Sequence, residues 1–169
     1  AIDARVSVEL WRLNDGKMER SQEKHSAYGL HDLPEITVEK DSVLAVSSGL
    51  AWVHKNNHSL WEGNMELQAL EEWTNSHEDP LLNRVFGGVV RSAEMKKINR
   101  TALETINPAK SINLRVYALT ETNTTIDQWQ ESIESEISKI SSISTEQRYS
   151  KHRRWWQSFW NRSYLEITA

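Results

Sequence analysis

The sequence contains no cysteine and, in 169 residues, only three prolines, six glycines and two phenylalanines. Without cysteine there are no disulfides, thiolate zinc sites, iron–sulfur clusters or cysteine nucleophile. The compartment stays open on that ground. No stretch approaches the ~18 consecutive apolar residues that a membrane-spanning helix requires. Neither sign of charge dominates: 20 Lys and Arg stand against 24 Asp and Glu, net −4, with a pI near 5.9. At 38% hydrophobic and 26% charged, the chain is too apolar for disorder and sufficient for one folded core. No initiator Met or signal-like stretch opens it, so it reads as a processed or excised piece, with any targeting segment upstream.

Common catalytic signatures are missing as well. There is no G-x-S-x-G elbow and no readable Ser-His-Asp spacing, with His25, His31 and His77 scattered. No Gly-rich phosphate loop exists; Gly87-Gly88 follows Phe86 and reads as a bulge or close-packing point in a strand. Glu71-Glu72 and Glu78-Asp79 are adjacent carboxylates, which on a strand would point to opposite faces and could not face each other across a glycosidic bond. Glu78-Asp79 before Pro80 reads as turn chemistry. His54, His58 and Glu62 stand four apart, a zinc spacing on a helix, but Lys55-Asn56-Asn57 is a turn sequence and the geometry does not follow. No metal or cofactor is expected; His54 and Asn56 read as hydrogen-bonding loop residues. Sequons at Asn57, Asn99, Asn123 and Asn161 matter only in a eukaryotic secretory protein.

What is abundant is tryptophan: eight, against two Phe. Indoles favour interfaces and sugar surfaces but also fill β-sandwich cores.

Residues 1–122 read as β-rich. Ala4, Val6, Val8 and Leu10 alternate with polar neighbours, as do Ile36 with Val38 and Met65, Leu67 with Ala69. Val43–Val46, Leu50–Val53 and Val85–Val90 form apolar runs, and Ile112, Leu114, Val116 and Ala118 mark a last strand face. Breakers at Asn14-Asp15-Gly16, Ser47-Ser48-Gly49, Asn56-Asn57, Asp79-Pro80 and Asn107-Pro108 separate them. Short strands without intervening helices predict an antiparallel β-sandwich.

Residues 123–169 change character. Ile126, Trp129, Ile133, Ile137 and Ile140 form a helical stripe, opened by a capping box of Thr125 and Gln128. A second amphipathic helix is predicted from Ser144, with Gln147 three residues on, ending at Asn161 before a Tyr164-Leu-Glu-Ile exit. Residues 145–163 carry +4, so the rest of the chain carries −8; the cations suit the helix C-terminal half and an acidic body. Trp155, Trp156, Phe159 and Trp160 span more than one helical face, and each ring buries about 150–250 Å² when covered. Leaving a face wet would exceed the few-hundred-Å² patch normal for a monomer, so this helix is expected between two bodies, its own β domain and another.

Three motifs in order carry a resemblance over about residues 45–165: Trp52-Val-His-Lys-Asn-Asn-His-Ser59, Asp79-Pro-Leu-Leu-Asn-Arg-Val-Phe-Gly-Gly88 and His152-x-x-Trp-Trp-x-x-Phe-Trp-x-Arg-Ser163. The chain resembles the N-terminal domain, of unknown function, of bacterial six-hairpin glycosidase-like proteins, similar to glycoside hydrolase family 95. The resemblance implies a galactose-mutarotase-like supersandwich over 1–122, lacking its front Gly-Asn-Gly strand, and a helical linker over 123–169. An (α/α)6 catalytic domain would follow in the same polypeptide. It also implies a periplasmic or secreted bacterial protein whose present chain is not itself an enzyme. His54, Asn56 and Asn57 become candidates for the rim of the neighbouring active site. His152, Trp155, Trp156, Phe159, Trp160 and Arg162 become an interdomain interface, with His152 and Arg162 hydrogen-bonding at the seam. Asp79, Pro80, Arg84, Phe86 and Gly87 become a structural motif, with Arg84 pairing an acid or carbonyl.

Three functions are thereby opened: an accessory and linker domain of a fucosidase-like glycosidase, an independent carbohydrate-binding module stacking sugars on exposed Trp, and a nucleic-acid or protein-binding domain using the basic helix. Oligosaccharide is a partner in the second. Membrane is not a partner, nucleic acid is disfavoured, and an unpaired sheet edge would suit a homodimer.

Overall fold

A computed structural model describes residues 1–17, 37–59 and 61–163 of the chain. The expectations for Ile36, His25, His31 and the Tyr164-Leu-Glu-Ile exit lie outside the described residues. The chain divides into two units, Ala1–Ile133 and Glu134–Ala169.

The first unit is built from antiparallel strands. β1 (Arg5–Ser7) is one edge of a three-stranded sheet. β2 (Gly16–Lys17) pairs with β3 (Thr37–Val38). β4 (Ser42–Leu44), β5 (Leu50–Lys55), β6 (Arg84–Arg91) and β9 (Arg115–Thr122) form a four-stranded sheet in that order. β7 (Met95–Asn99) and β8 (Ala102–Thr105) complete the three-stranded sheet, order β1-β8-β7.

The sheets meet face to face. Leu50 and Val90, opposite each other on β5 and β6, share a buried cluster with Met95 and Leu103 of the other sheet, flanked by Val6, Val8, Trp52 and Ile112. That cross-sheet packing gives the sandwich. The opposite face of β5 and β6 (Ala51, Val53, Val85 and Val89) is buried too. This two-sided burial is why Leu50–Val53 reads as a continuous apolar run. Helix α3 (Ile126–Ser141) begins in this unit and supplies Trp129 and Ile133, both buried. The Trp129 Nε1–H donates to the Leu119 carbonyl of β9 at 3.2 Å.

Ala4, Val6, Val8 and Leu10 alternate in burial as the sequence pattern predicts, although the strand covers only Arg5–Ser7. Ser47-Ser48-Gly49 is a turn with Gly49 at φ 82°, where an added Cβ would lie 2.0 Å from the Val90 carbonyl oxygen.

Two expectations are corrected. Met65 and Leu67 are not on a strand: α1 (Trp61–Leu67) and the single turn α2 (Glu71–Thr74) intervene between β5 and β6, and Glu71-Glu72 open that turn. The start signal is local, since the Ser59 hydroxyl accepts from the Trp61 N–H and Glu62 stands three residues after Ser59. The last strand is also shifted. Ile112 and Leu114 precede it, Val116 is exposed, and Tyr117, Leu119 and Glu121 point inward. An apolar i, i+2 series is mirrored here by a second one a residue away, and packing selects the one with the larger rings and branches.

The second unit contains the remainder of α3 and α4 (Thr145–Trp160). Both predicted capping boxes are formed. Gln128 N–H donates to Thr125 Oγ1 at 3.2 Å while Thr125 N–H donates to Gln128 Oε1 at 3.0 Å. Ser144 and Gln147 repeat the exchange at 3.2 and 3.3 Å, and Asn161 ends α4 as predicted. Along α3, Trp129, Ile133 and Ile137 are buried and Ile126 and Ile140 half-buried, one face of a 3.6-residue period.

Candidate functional site

The rim candidates do not form one patch. His54 lies on β5 rather than in a loop, and its ring is buried. The imidazole packs at 5.2 Å against Phe86, its partner across β5 and β6, and Nδ1 lies 3.0 Å from Asp41 Oδ1. The same carboxylate oxygen accepts from Arg12 Nε at 2.8 Å, and the Arg12 guanidinium sits over the Phe86 ring. His54 is thus one corner of an Arg12–Asp41–His54–Phe86 cluster that the sequence did not reveal. Arg12 and Asp41 stand 29 residues apart in the chain, and only the fold joins them.

Asn56 is half-buried and structural. Its N–H donates to the Arg84 carbonyl, its own carbonyl accepts from Asn83 N–H, and its Nδ2 donates to Leu81 O at 3.2 Å. Asn57 is exposed and donates to Glu39 Oε2 at 2.6 Å, beside a 3.4 Å approach of His58 to the same carboxylate. Of the three, Asn57 alone is open to solvent.

The Asp79 turn has the local chemistry its sequence suggests. Asp79 Oδ1 accepts from the Leu81 N–H at 2.7 Å, and Oδ2 accepts from the Ser59 hydroxyl at 2.5 Å. Both oxygens are therefore engaged in holding the turn onto the start of α1. Phe86 serves the His54 cluster, and Gly87 sits where a Cβ would fall 2.1 Å from the Trp52 carbonyl oxygen. Strand register runs through Gly87 and Gly88 unshifted, so close packing, not a bulge, explains the pair. Arg84 is half-buried, and its Nε is buried without a hydrogen-bond partner.

The tryptophans divide by role. Trp129 fills the core, Trp52 and Trp61 are half-buried, and Trp11, Trp73, Trp155, Trp156 and Trp160 are exposed.

No residue of α4 is buried. Trp155 and Phe159 stack at 5.7 Å and 11°, and Trp156 and Trp160 at 6.0 Å and 20°. Each pair is i, i+4, so the helix aligns two columns of rings side by side. The columns contact each other edge to face through Trp155–Trp156, Trp156–Phe159 and Phe159–Trp160, and His152 extends them over Trp156. Trp155 is 59% and Trp160 61% exposed. Around this ridge lie Arg148, Lys151, Arg153 and Arg154, with Arg153 over the Tyr149 ring at 5.8 Å. Arg162 Nε donates to the Ser158 carbonyl at 3.0 Å, closing the last turn.

Glu146, in the first turn of α4, is held below the ordinary Glu range by its own backbone N–H, then by the Ser144 side chain, with Arg148 adding a smaller effect. Among the described residues, no three His, Asp or Glu side chains converge as a metal set, and no helix is long and apolar enough to cross a membrane.

No curated protein and no solved structure matches the chain. Residues 1–165 match the family described as Domain of unknown function (DUF5703), in its part DUF5703_N, and the chain belongs to that family.

Proposed function

We propose that this chain is a non-catalytic accessory and linker domain of a bacterial carbohydrate-active hydrolase. In this reading α4 docks and positions a catalytic (α/α)6 domain of the same polypeptide. The observation that carries it is the α4 ridge: four large rings and Tyr149, all exposed, on one 16-residue helix. Exposed aromatic area on that scale is characteristic of a surface that another body covers. The surrounding cations suit an acidic partner at its rim. The three ordered motifs that resemble six-hairpin glycosidase-like proteins supply the identity proposed for that body, and with it a periplasmic or secreted location.

The second reading, an independent carbohydrate-binding module, draws on the same rings. Sugar stacking needs open ring faces. The near-parallel pairs Trp155–Phe159 and Trp156–Trp160 turn one face of each ring to its neighbour. A ridge of paired rings suits docking into a groove better than stacking on pyranose faces.

The test uses the polypeptide encoded by the complete reading frame. Oxidative footprinting of Trp155, Trp156 and Trp160 is compared with that of the 169-residue chain. The proposal requires an (α/α)6 region after Ala169 and strong protection of the three indoles in the longer protein. Equal reactivity in both, or a reading frame without such a region, overturns it. Quenching of the 169-residue chain by oligosaccharide, abolished by Trp155→Gln with Trp160→Gln, would favour the second reading instead.

A further inference from the structure

A cleft of about 880 Å³ is lined wholly by residues of the first unit. It opens between the α1–α2 pair and the end of the four-stranded sheet where Arg84 of β6 pairs with Thr122 of β9. That volume falls within the range of small-molecule sites. Trp61 forms an apolar wall on the first turn of α1, and Glu62 follows it. Glu78, beside the Asp79 turn, also lines the cleft, and Asn83 and Asn123 lie at the sheet end.

Two features set this cleft apart from an ordinary surface groove. First, its backbone is held in a sparsely populated conformation. Asn83 and Asn123 both have φ 56° and are joined by an Asn123 N–H to Asn83 carbonyl bond of 3.0 Å. Only three non-glycine residues among those described have positive φ, and two of them are here. Asn tolerates this region, and such positions gather at ligand-binding sites. Second, the walls contain polar groups that the fold leaves unused. Trp61 Nε1 and Arg84 Nε are buried without partners. Both are donors, and both belong to residues that line the cleft. Among the described residues, the carboxylates of Glu62 and Glu78 and the side-chain amides of Asn83 and Asn123 show no hydrogen bond or ion pair.

The chemistry selects a ligand class. An indole wall with several planar donors and acceptors suits a compact molecule that has apolar C–H faces and many hydroxyls. The charges decide against anions: Glu62, Glu78 and Asp79 oppose the single Arg84, so phosphates, sulfates and uronates are repelled. One indole is not an aromatic cage, which decides against a quaternary ammonium.

We propose that this cleft binds a neutral saccharide, with Trp61 as its apolar wall and Glu62, Glu78, Asn83 and Asn123 as the groups that take its hydroxyls. The site is separate from α4 and does not require the docking role of that helix.

The experiment is a titration of the 169-residue chain, followed by calorimetry and by the indole N–H resonances. Neutral hexasaccharides of glucose, mannose, galactose and xylose are the probes, with a hexagalacturonate and a chitosan hexamer as charged arms. The Trp61 signal is assigned by its loss in Trp61→Phe. At least one neutral hexasaccharide should bind at or below roughly millimolar concentration and shift the Trp61 indole. Asn123→Gly, which keeps the positive φ at no steric cost, and Glu62→Gln should each weaken that binding about tenfold while leaving the fold intact. Four results overturn the proposal: no neutral probe binds, only a charged arm binds, affinity is unchanged in both variants, or the shifted indoles are those of α4. Of these, only a shift of the α4 indoles bears on that helix, where it would favour the carbohydrate-binding reading; failure of docking itself is read from footprinting.

Discussion

Trp52 lies across Gly88: a Cβ on that glycine would sit 2.7 Å from Cζ2 and 2.8 Å from Cη2 of the indole. The two residues face each other on β5 and β6, and Trp52 packs on the Leu50–Val90–Met95–Leu103 cluster. Gly88→Ala therefore drives a methyl into the indole and toward the Tyr117 carbonyl oxygen. The expected cost is about 1–3 kcal/mol of unfolding free energy, read as a lowered urea midpoint at unchanged m-value. Gly87→Ala should cost more, because its Cβ meets the Trp52 backbone rather than a ring.

That pair also shows what the sequence could disclose. Gly87-Gly88 inside an apolar run marks close approach, and the reason for it, an indole on the adjacent strand, needs the register. Signals carried within four residues were legible: the two capping boxes, the α3 stripe, the Gly49 turn and the Asp79 turn. Signals that depend on pairing were not. β7 and β8 escaped notice because Met95-Lys-Lys-Ile-Asn buries only Met95, leaving no alternation to read. Arg12 and Asp41 carry no motif, yet they surround His54. The α4 rings were legible as an exposed cluster because their number on one helix is more than one face can bury. The alternation of Met65 and Leu67 reads as a strand, and so conceals that Trp61 opens a helix.

Trp129 is fully buried, and its indole N–H is spent on the carbonyl of Leu119 in β9. Trp129→Ala removes the largest buried side chain and uncouples the start of α3 from the sheet. A loss of about 3–5 kcal/mol is expected. Trp129→Phe should recover most of the packing but leave the Leu119 carbonyl without this donor, costing about 1 kcal/mol by equilibrium denaturation.

Glu94 gives the first unit an acid sensitivity that can be isolated. The Ser92 hydroxyl above all, then its own backbone N–H and the Asn113 side chain, hold its carboxyl below the ordinary Glu range. A depressed folded pKa means the stabilisation is complete above the unfolded value near ~4.3 and fades as pH falls through the lower folded one. Glu94→Gln should flatten that part of the curve of unfolding midpoint against pH. An unchanged curve would show that these contacts do not bias the ionised form.

Ser144 tests whether α4 is set by its own ends. Its hydroxyl accepts from Gln147 N–H while Gln147 returns a bond to the Ser144 N–H. Ser144→Ala should cost about 1 kcal/mol locally. Because no residue of α4 is buried, the effect should appear as faster amide exchange in the first turn rather than as a shift of the global melting midpoint.

The α4 rings should behave in the opposite way to Trp129. Trp155 and Trp160 are more than half exposed, so converting both to Gln removes little area that folding buries. Unfolding free energy should change by no more than about 0.5 kcal/mol per site. What should change is association. The ridge of paired rings offers apolar area to dyes and to other molecules, and the double variant should bind less of a hydrophobic fluorescent probe and stay monomeric at higher concentration in sedimentation. Were the double variant instead to lose several kcal/mol, the rings would be holding this chain together, and a role in docking would have no surface left to act through.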